Sequence, residues 1–238
     1  MTPLISATGV RKGFGRGSQR MEVLKGVDLD VHPGEFVTIV GSSGAGKSTL
    51  LYCLCGLRSA DQGQILLAGN DISSASKTHL ARIRRDHVGF IFQDLNLISS
   101  LSVRDNVALS ARLARRKPRK GEILRALETV GLSSCARKYP SQLSGGQRQR
   151  VAIARFPIRR PHVMFADEPT GSLDVSARDT ILELLRRTVT ESTALVMVTH
   201  DLDIAATADR VIVLANGCND RTLTRPTAAE IFDALHRS

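Results

Sequence analysis

No stretch of this sequence approaches the ~20 consecutive apolar residues needed to span a bilayer. Segments such as Glu35–Val40 and Val163–Ala166 are only strand-length. The opening Met-Thr-Pro-Leu-Ile-Ser lacks the basic region and long apolar stretch of a signal peptide, so a cytoplasmic protein is expected. No internal repeat, low-complexity tract or heptad pattern is present, and a repeat array or coiled-coil arm is therefore not expected. Cysteine is scarce. Cys53, Cys55, Cys135 and Cys218 have no metal-ligand spacing. Cys53 and Cys55, two apart in a predicted helix, do not share a face. They are expected to be small buried residues in a reducing compartment. Acidic residues are also short, 23 against 33 Lys and Arg, a net charge of +10. Much of the excess lies in Arg112–Arg125, which reads as a solvated helical face broken by Pro118. No aromatic residue interrupts that run to stack on bases, so no nucleic-acid partner is expected.

Hydrophobic residues make up 42% of the 238, enough for a substantial core. Short apolar runs separated by turns, at Val27–Val31, Glu35–Val40 and Gln64–Leu67, predict strands. A strand-loop-helix unit spans Glu35–Leu57. The region from Lys77 to Leu143 is richer in helical pattern and charge. Strands return at Val163–Ala166, Leu195–Thr199 and Arg210–Leu214, with helices near Val175–Val189 and Leu202–Ala208 between them. Such alternation implies right-handed crossovers and a parallel sheet. The fold class is α/β: a nucleotide-binding core with a mainly parallel sheet, an antiparallel β region at the N-terminus and a helical insertion at about 94–160. Residues 1–238 are expected to form one domain.

Gly41-Ser42-Ser43-Gly44-Ala45-Gly46-Lys47-Ser48 fits the G-x-x-x-x-G-K-[ST] phosphate-loop pattern, and Thr49 continues it into a predicted helix. Glycines let the backbone wrap phosphates with successive N–H groups aimed inward. The helix start adds a positive dipole end. Lys47 brings a mobile charge to the outer phosphates, and the Ser48 hydroxyl suits Mg²⁺. Val163-Met-Phe-Ala-Asp167-Glu168 is a buried strand ending in acid, which in an α/β sheet lies at the ligand edge. Asp167 suits the Mg²⁺ shell, and Glu168 points differently and suits polarising a water. Ser144-Gly145-Gly146-Gln147 has the S-x-x-Q form of a capping box. A well-capped helix would explain it, and a glycine-lined helix start is equally an anion site.

These elements, in this order, resemble the ATP-binding-cassette (ABC) ATPases. Gly41–Ser48 resembles their Walker A, Leu143–Gln147 their signature, Asp167–Glu168 their Walker B, and His200 their switch histidine. Gln93 in Phe90-Ile-Phe-Gln resembles the Q-loop glutamine, and Ser172-Leu-Asp174 the D-loop. The resemblance runs from about Leu4 to Leu235 and points to the lipoprotein-release and macrolide-export branch. It implies an ATPase that uses ATP and Mg²⁺, works as a head-to-tail homodimer on ATP binding, and drives a separate integral membrane permease-type subunit from the cytoplasmic face of the membrane. It implies that Ser144, Gly146 and Gln147 of one copy reach the γ-phosphate held by the other, alongside Gly145 and Asp174. It further implies that Gln93 senses phosphate and Mg²⁺, that His200 braces the γ-phosphate and the attacking water, and that Phe14 stacks on adenine where relatives carry tyrosine.

Phe156-Pro157 departs from the Ala-Leu usual in related ATPases. A proline inside a continuing helix costs ~3 kcal/mol, so the helix after the signature either ends early or kinks. Gly217–Arg225 carries no pattern that the reading uses. The segment Gln93–Val107 is apolar for a loop. Its Leu95, Leu97, Ile98 and Leu101 read either as a contact surface for the membrane partner or as packing within the helical insertion. A mechanical or regulatory ATPase of the same family, moving a membrane protein without transport, is the alternative function. An ATP-binding module with little turnover is disfavoured by Lys47, Asp167, Glu168 and His200, and a soluble ABC ATPase of DNA repair or translation by the single cassette.

Overall fold

A computed structural model describes residues 2–15, 17–113, 115–171 and 173–237, the side chains of Ser18 and Val175 apart. Ser172 therefore lies outside the described residues. In chain order the elements are β1 (Ile5–Phe14), β2 (Met21–Val31), β3 (Phe36–Val40), α1 (Lys47–Leu54), β4 (Gln62–Leu67), β5 (Asn70–Asp71), α2 (Lys77–His87), β6 (Val88–Ile91) and α3 (Val103–Leu113). There follow α4 (Glu122–Thr129), α5 (Gly145–Ile153), α6 (Arg155–Arg159), β7 (Val163–Asp167), α7 (Val175–Arg186), β8 (Ala194–Val198), α8 (Leu202–Ala205), β9 (Arg210–Ala215), β10 (Cys218–Thr224) and α9 (Ala228–His236).

The strands form two sheets. One is antiparallel, in the order β2-β1-β4-β5. The other runs β10-β9-β3-β8-β7-β6, parallel except for the antiparallel edge pair β10 and β9. The expected α/β class with an N-terminal antiparallel sheet holds. β3, β7 and β8 are buried at every residue because both faces of the parallel sheet are covered. The strand period of two deals their side chains to two cores. Phe36, Val40, Met164 and Ala166 pack on one side with α3, α5 and α7. Val37, Ile39, Val163 and Phe165 pack on the other with α1 and the antiparallel sheet. Each of these side chains larger than alanine contributes roughly 1.5–3 kcal/mol relative to exposure, which is what makes continuous apolar runs strands here rather than loops.

Between Ile91 and Val163 the described residues hold helices and no strand. The basic run is not the helical face that its composition suggests. α3 ends at Leu113, and Gly121, at φ 78°, caps the start of α4. Pro118 and the left-handed glycine forbid a continuous helix between them. Arg116 in that linker donates to the Ile158 carbonyl and to Glu122, each at 2.5 Å, so part of the charge is used internally. The stretch after Asn216-Gly217 is a strand. Both turn residues have positive φ, 51° and 80°, and β10 folds back on β9.

The proline after the signature is accommodated by a break. α5 stops at Ile153, Ala154 closes it, and α6 begins at Arg155. Pro157 is then the third residue of a new helix, where an N–H has no helical acceptor in any case. The ~3 kcal/mol cost of an interior proline does not arise. Cys53, Cys55 and Cys135 are buried, as expected, and all four cysteines are free thiols. Burial pushes the Cys53 thiol up to about 11 and the Cys55 thiol up to about 12.

Candidate functional site

Four of the segments singled out in the sequence leave the C-terminal ends of parallel strands. The Gly41 loop follows β3, Gln93 follows β6, Asp167 and Glu168 close β7, and His200 follows β8. Parallel strands point one way, so these loops gather along one edge of the sheet, which is where an α/β sheet binds ligands. Gly41 permits the loop's close approach, since a Cβ there would collide with the Leu214 carbonyl. Gly46 precedes α1 in the left-handed region, at φ 98°, and provides no side-chain cap. The first-turn N–H groups of α1 are thus left for a ligand. Lys47 Nζ donates to the Gly41 and Ser42 carbonyls, each at 2.9 Å, folding its side chain over the loop. Burial holds its ammonium below the usual lysine range, opposed by Glu168 and Asp167.

Asp167 is 5% exposed and turns toward α1. It accepts the Ser48 hydroxyl at 3.0 Å on Oδ1 and the Tyr52 hydroxyl at 2.8 Å on Oδ2. Tyr52 was not singled out in the sequence. Its signal was the i, i+4 spacing from Ser48 on one helix, which places both hydroxyls on one face. Burial, and then the hydrogen bond to Asp167, push the Tyr52 phenol up to about 12, so it stays a proton donor to the carboxylate. Glu168 has φ 47°, a left-handed backbone costing about 1–3 kcal/mol for a residue with a Cβ. The turn sends its side chain away from Asp167 to His200, whose Nδ1 lies 2.9 Å from Glu168 Oε2. Adjacent carboxylates thus serve different neighbours, as the strand end suggested.

Ser48 and Asp167 present hard oxygen donors 3.0 Å apart beside the phosphate loop, a set that fits Mg²⁺. Among the described residues no three His, Cys, Asp or Glu side chains converge to hold a metal. A cation here would complete its shell from phosphate and water, as Mg²⁺ does. Gln93 is exposed and lines one cavity with Glu168, Gly145 and Gln149. Gln149 was also missed. It is buried, and its Nε2 has no partner among the described residues.

The capping box is present: Gln147 N donates to Ser144 Oγ at 3.3 Å, and Ser144 N to Gln147 Oε1 at 3.0 Å. Ser144, Gly145 and Gly146 border a second cavity with Asp174, which caps α7 by accepting from Ala177 N at 2.8 Å. No residue of the Gly41–Thr49 loop lines that cavity. A Cβ on Gly146 would press on Ala177 Cβ, 3.2 Å away. Phe14, at the end of β1, has the Arg58 guanidinium 4.8 Å from its ring centroid. Its partner here is a cation on the ring face. Of the apolar residues after Gln93, Leu95 and Leu97 pack against the core, whereas Ile98 is 42% exposed.

A sequence model of the family described as ABC transporter matches residues 24–171. The macrolide export ATP-binding/permease protein MacB 1 of Aeromonas hydrophila subsp. hydrophila is 47% identical over 217 residues, 90% of this chain and 34% of that protein. MacB of Escherichia coli strain K12 is 42% identical over 220 residues, 91% of this chain and 34% of that protein. The chain thus spans about a third of the length of these relatives. Among solved structures, the dimeric bacterial ABC transporter cassette MJ0796 superposes with a TM-score of 0.85 at 35% identity, over 93% of this chain and 99% of that one. A dimeric post-hydrolysis state of the same cassette, bound to ADP and Pi, gives 0.85 at 34% identity with the same coverage.

Proposed function

The chain belongs to the ABC transporter family and is one of its ATP-binding cassettes, and on that premise we propose that it hydrolyses ATP to drive a membrane-embedded permease. The observation that carries this is the split of two adjacent carboxylates, Asp167 to the Ser48 hydroxyl and Glu168 to His200. The amides of the Gly41–Thr49 loop and Lys47 hold the phosphates. Ser48, Asp167 and Gln93 hold the Mg²⁺, which supplies charge neutralisation when bound. Glu168 accepts the proton of the attacking water, and His200 orients Glu168 and braces the γ-phosphate and that water. Phe14 offers its ring face to adenine in exchange for Arg58. Ser144, Gly145, Gly146 and Asp174 border a cavity that no phosphate-loop residue lines, which supports their serving, with the adjacent Gln147, a nucleotide held by a second copy. Purified protein is expected to release phosphate from ATP with Mg²⁺ present and to stop when EDTA removes it. Equal release in both conditions would overturn the Mg²⁺ assignment, and none in either would overturn hydrolysis by the chain itself.

Among the described residues no helix is long and apolar enough to cross a membrane; the proposed drive on the permease works through a protein contact. A groove beside the segment after Gln93 has the character of that contact. Leu57, Ile98 and Leu113 on its walls are 44%, 42% and 66% exposed, and Arg84, Arg85 and Arg159 line it with no acidic residue. We place there a cytoplasmic segment of the permease, apolar with an acidic side chain, at the cytoplasmic face of the membrane. Leu97, half-buried against the core, is a poor probe of this surface. Leu113→Asp is a better one. A surface change of this kind shifts stability by no more than about 0.5 kcal/mol, so the thermal midpoint should hold while co-purification with the permease is lost. Undiminished association would exclude the groove.

A further inference from the structure

The turn that carries Gln93 is held from behind by a residue the proposed chemistry does not use. Leu95 N donates to the Phe92 carbonyl at 2.9 Å, so Gln93 sits inside a tight turn. Leu95 and Asn96 follow with φ 58° and 45°, two consecutive residues with side chains in the left-handed region. Such backbone persists only where neighbours over-determine it. Here the neighbour is Arg155. Its guanidinium donates to the Leu95 carbonyl at 3.4 Å, to the Asn96 carbonyl at 3.2 Å and to Asn106 Oδ1 at 3.1 Å. Asn106, 1% exposed, continues the clamp. Its Oδ1 accepts Ile98 N at 2.9 Å, and its Nδ2 donates to the carbonyls of Ile98, Leu101 and Ser102 at 3.0–3.1 Å. The segment from Leu95 to Ser102 is wrapped around these two side chains.

The cation itself calls for a reason beyond stability. Arg155 is half-buried, and among the described residues its guanidinium bonds only neutral oxygens and its Nε has no partner. Burial, with Arg159 nearby, pulls its guanidinium down to about 10. An apolar side chain would fill this space without a desolvation cost. What only the planar fork does is reach several acceptors at once in fixed geometry. Arg155 also occupies a particular place, the first residue of α6, directly after the break that ends the signature helix α5.

We propose that Arg155 is a positioning residue for Gln93, fastening the Gln93 turn to the α5–α6 junction so that the approach of Gln93 to the Glu168 site follows the signature helix. The proposal rests on the reading of Gln93 as part of the nucleotide site. It is tested by a double-mutant cycle on Mg²⁺-ATP turnover with Gln93→Ala, Arg155→Lys and the two combined. Lysine keeps the charge and removes the fork. Arg155→Lys should lower kcat by about tenfold with KM for ATP little changed, a drop within the range of coupling between residues of one network. In the Gln93→Ala background the same change should have almost no further effect. A merely structural role would lower turnover equally in both backgrounds, and that result, or an unchanged kcat in Arg155→Lys, overturns the proposal. Unchanged turnover in Gln93→Ala would instead remove the reading of Gln93 beneath it. Should Arg155→Lys not fold, Arg155→Gln is read in the same way.

Discussion

Glu168→Gln is expected to bind ATP and to turn it over about 10²–10⁴-fold more slowly than the unaltered protein, the usual contribution of a general base. Glutamine preserves the length and planarity of the side chain, and its carbonyl can still accept a hydrogen bond from His200, which lies 2.9 Å from Glu168 Oε2. It cannot take a proton from water. Asp167, the other carboxylate of the strand end, is engaged by Ser48 and Tyr52 on the opposite side and is not free to substitute. The nucleotide-holding elements are untouched, so affinity should survive. A copy that holds ATP without consuming it should also stay paired with its partner copy. Phosphate release measures the first effect, and light scattering with and without ATP measures the second. Turnover at the unaltered rate would show that the base is elsewhere. A variant that stays monomeric with ATP bound would argue against the shared nucleotide site.

The largest effect on stability is expected where Phe156 departs from the alanine usual in related ATPases. Phe156 is 4% exposed and packs over Gly89 in β6, where a Cβ would lie 2.7 Å from its ring. The aromatic ring takes the place that a side chain at position 89 would fill. Phe156→Ala should therefore cost roughly 3–5 kcal/mol, as other buried phenylalanines do. In a protein of this size that lowers the thermal midpoint by on the order of 10 °C. Gly89→Ala alone should cost about 1–3 kcal/mol through overpacking. Combined with Phe156→Ala, the added methyl enters the space left by the ring, and the double variant should be more stable than the sum of the two losses. Thermal unfolding of the four proteins gives the cycle. Strict additivity would mean that the two positions do not share the space. Replacing Phe156-Pro157 together by Ala-Leu should lower the midpoint and not raise it, because the proline is already unstrained at the start of α6 and only the loss of the ring remains.

Much of this protein is local and could be read without coordinates. The phosphate loop, the strand ending in Asp167-Glu168 and the Ser144–Gln147 cap each lie within a few residues. Their geometry depends on glycine freedom, strand burial and helix-end hydrogen bonds that act over one turn of chain. The parallel core strands were visible as apolar runs because both of their faces are covered. The Asn216-Gly217 hairpin is equally local, since two residues able to adopt positive φ specify that turn by themselves. The remainder depended on which distant atoms meet. Tyr52 and Asp167 are 115 residues apart, Arg155 and Asn106 are 49 apart, and no periodicity records either pairing. The same holds for the break before Pro157, where the sequence allowed an end or a kink. Sequence patterns carry the short-range terms of folding, dihedral preference and one-sided burial. The partner of a buried hydroxyl, a guanidinium or a ring is chosen only once two cores have packed on one sheet and the space between them is taken.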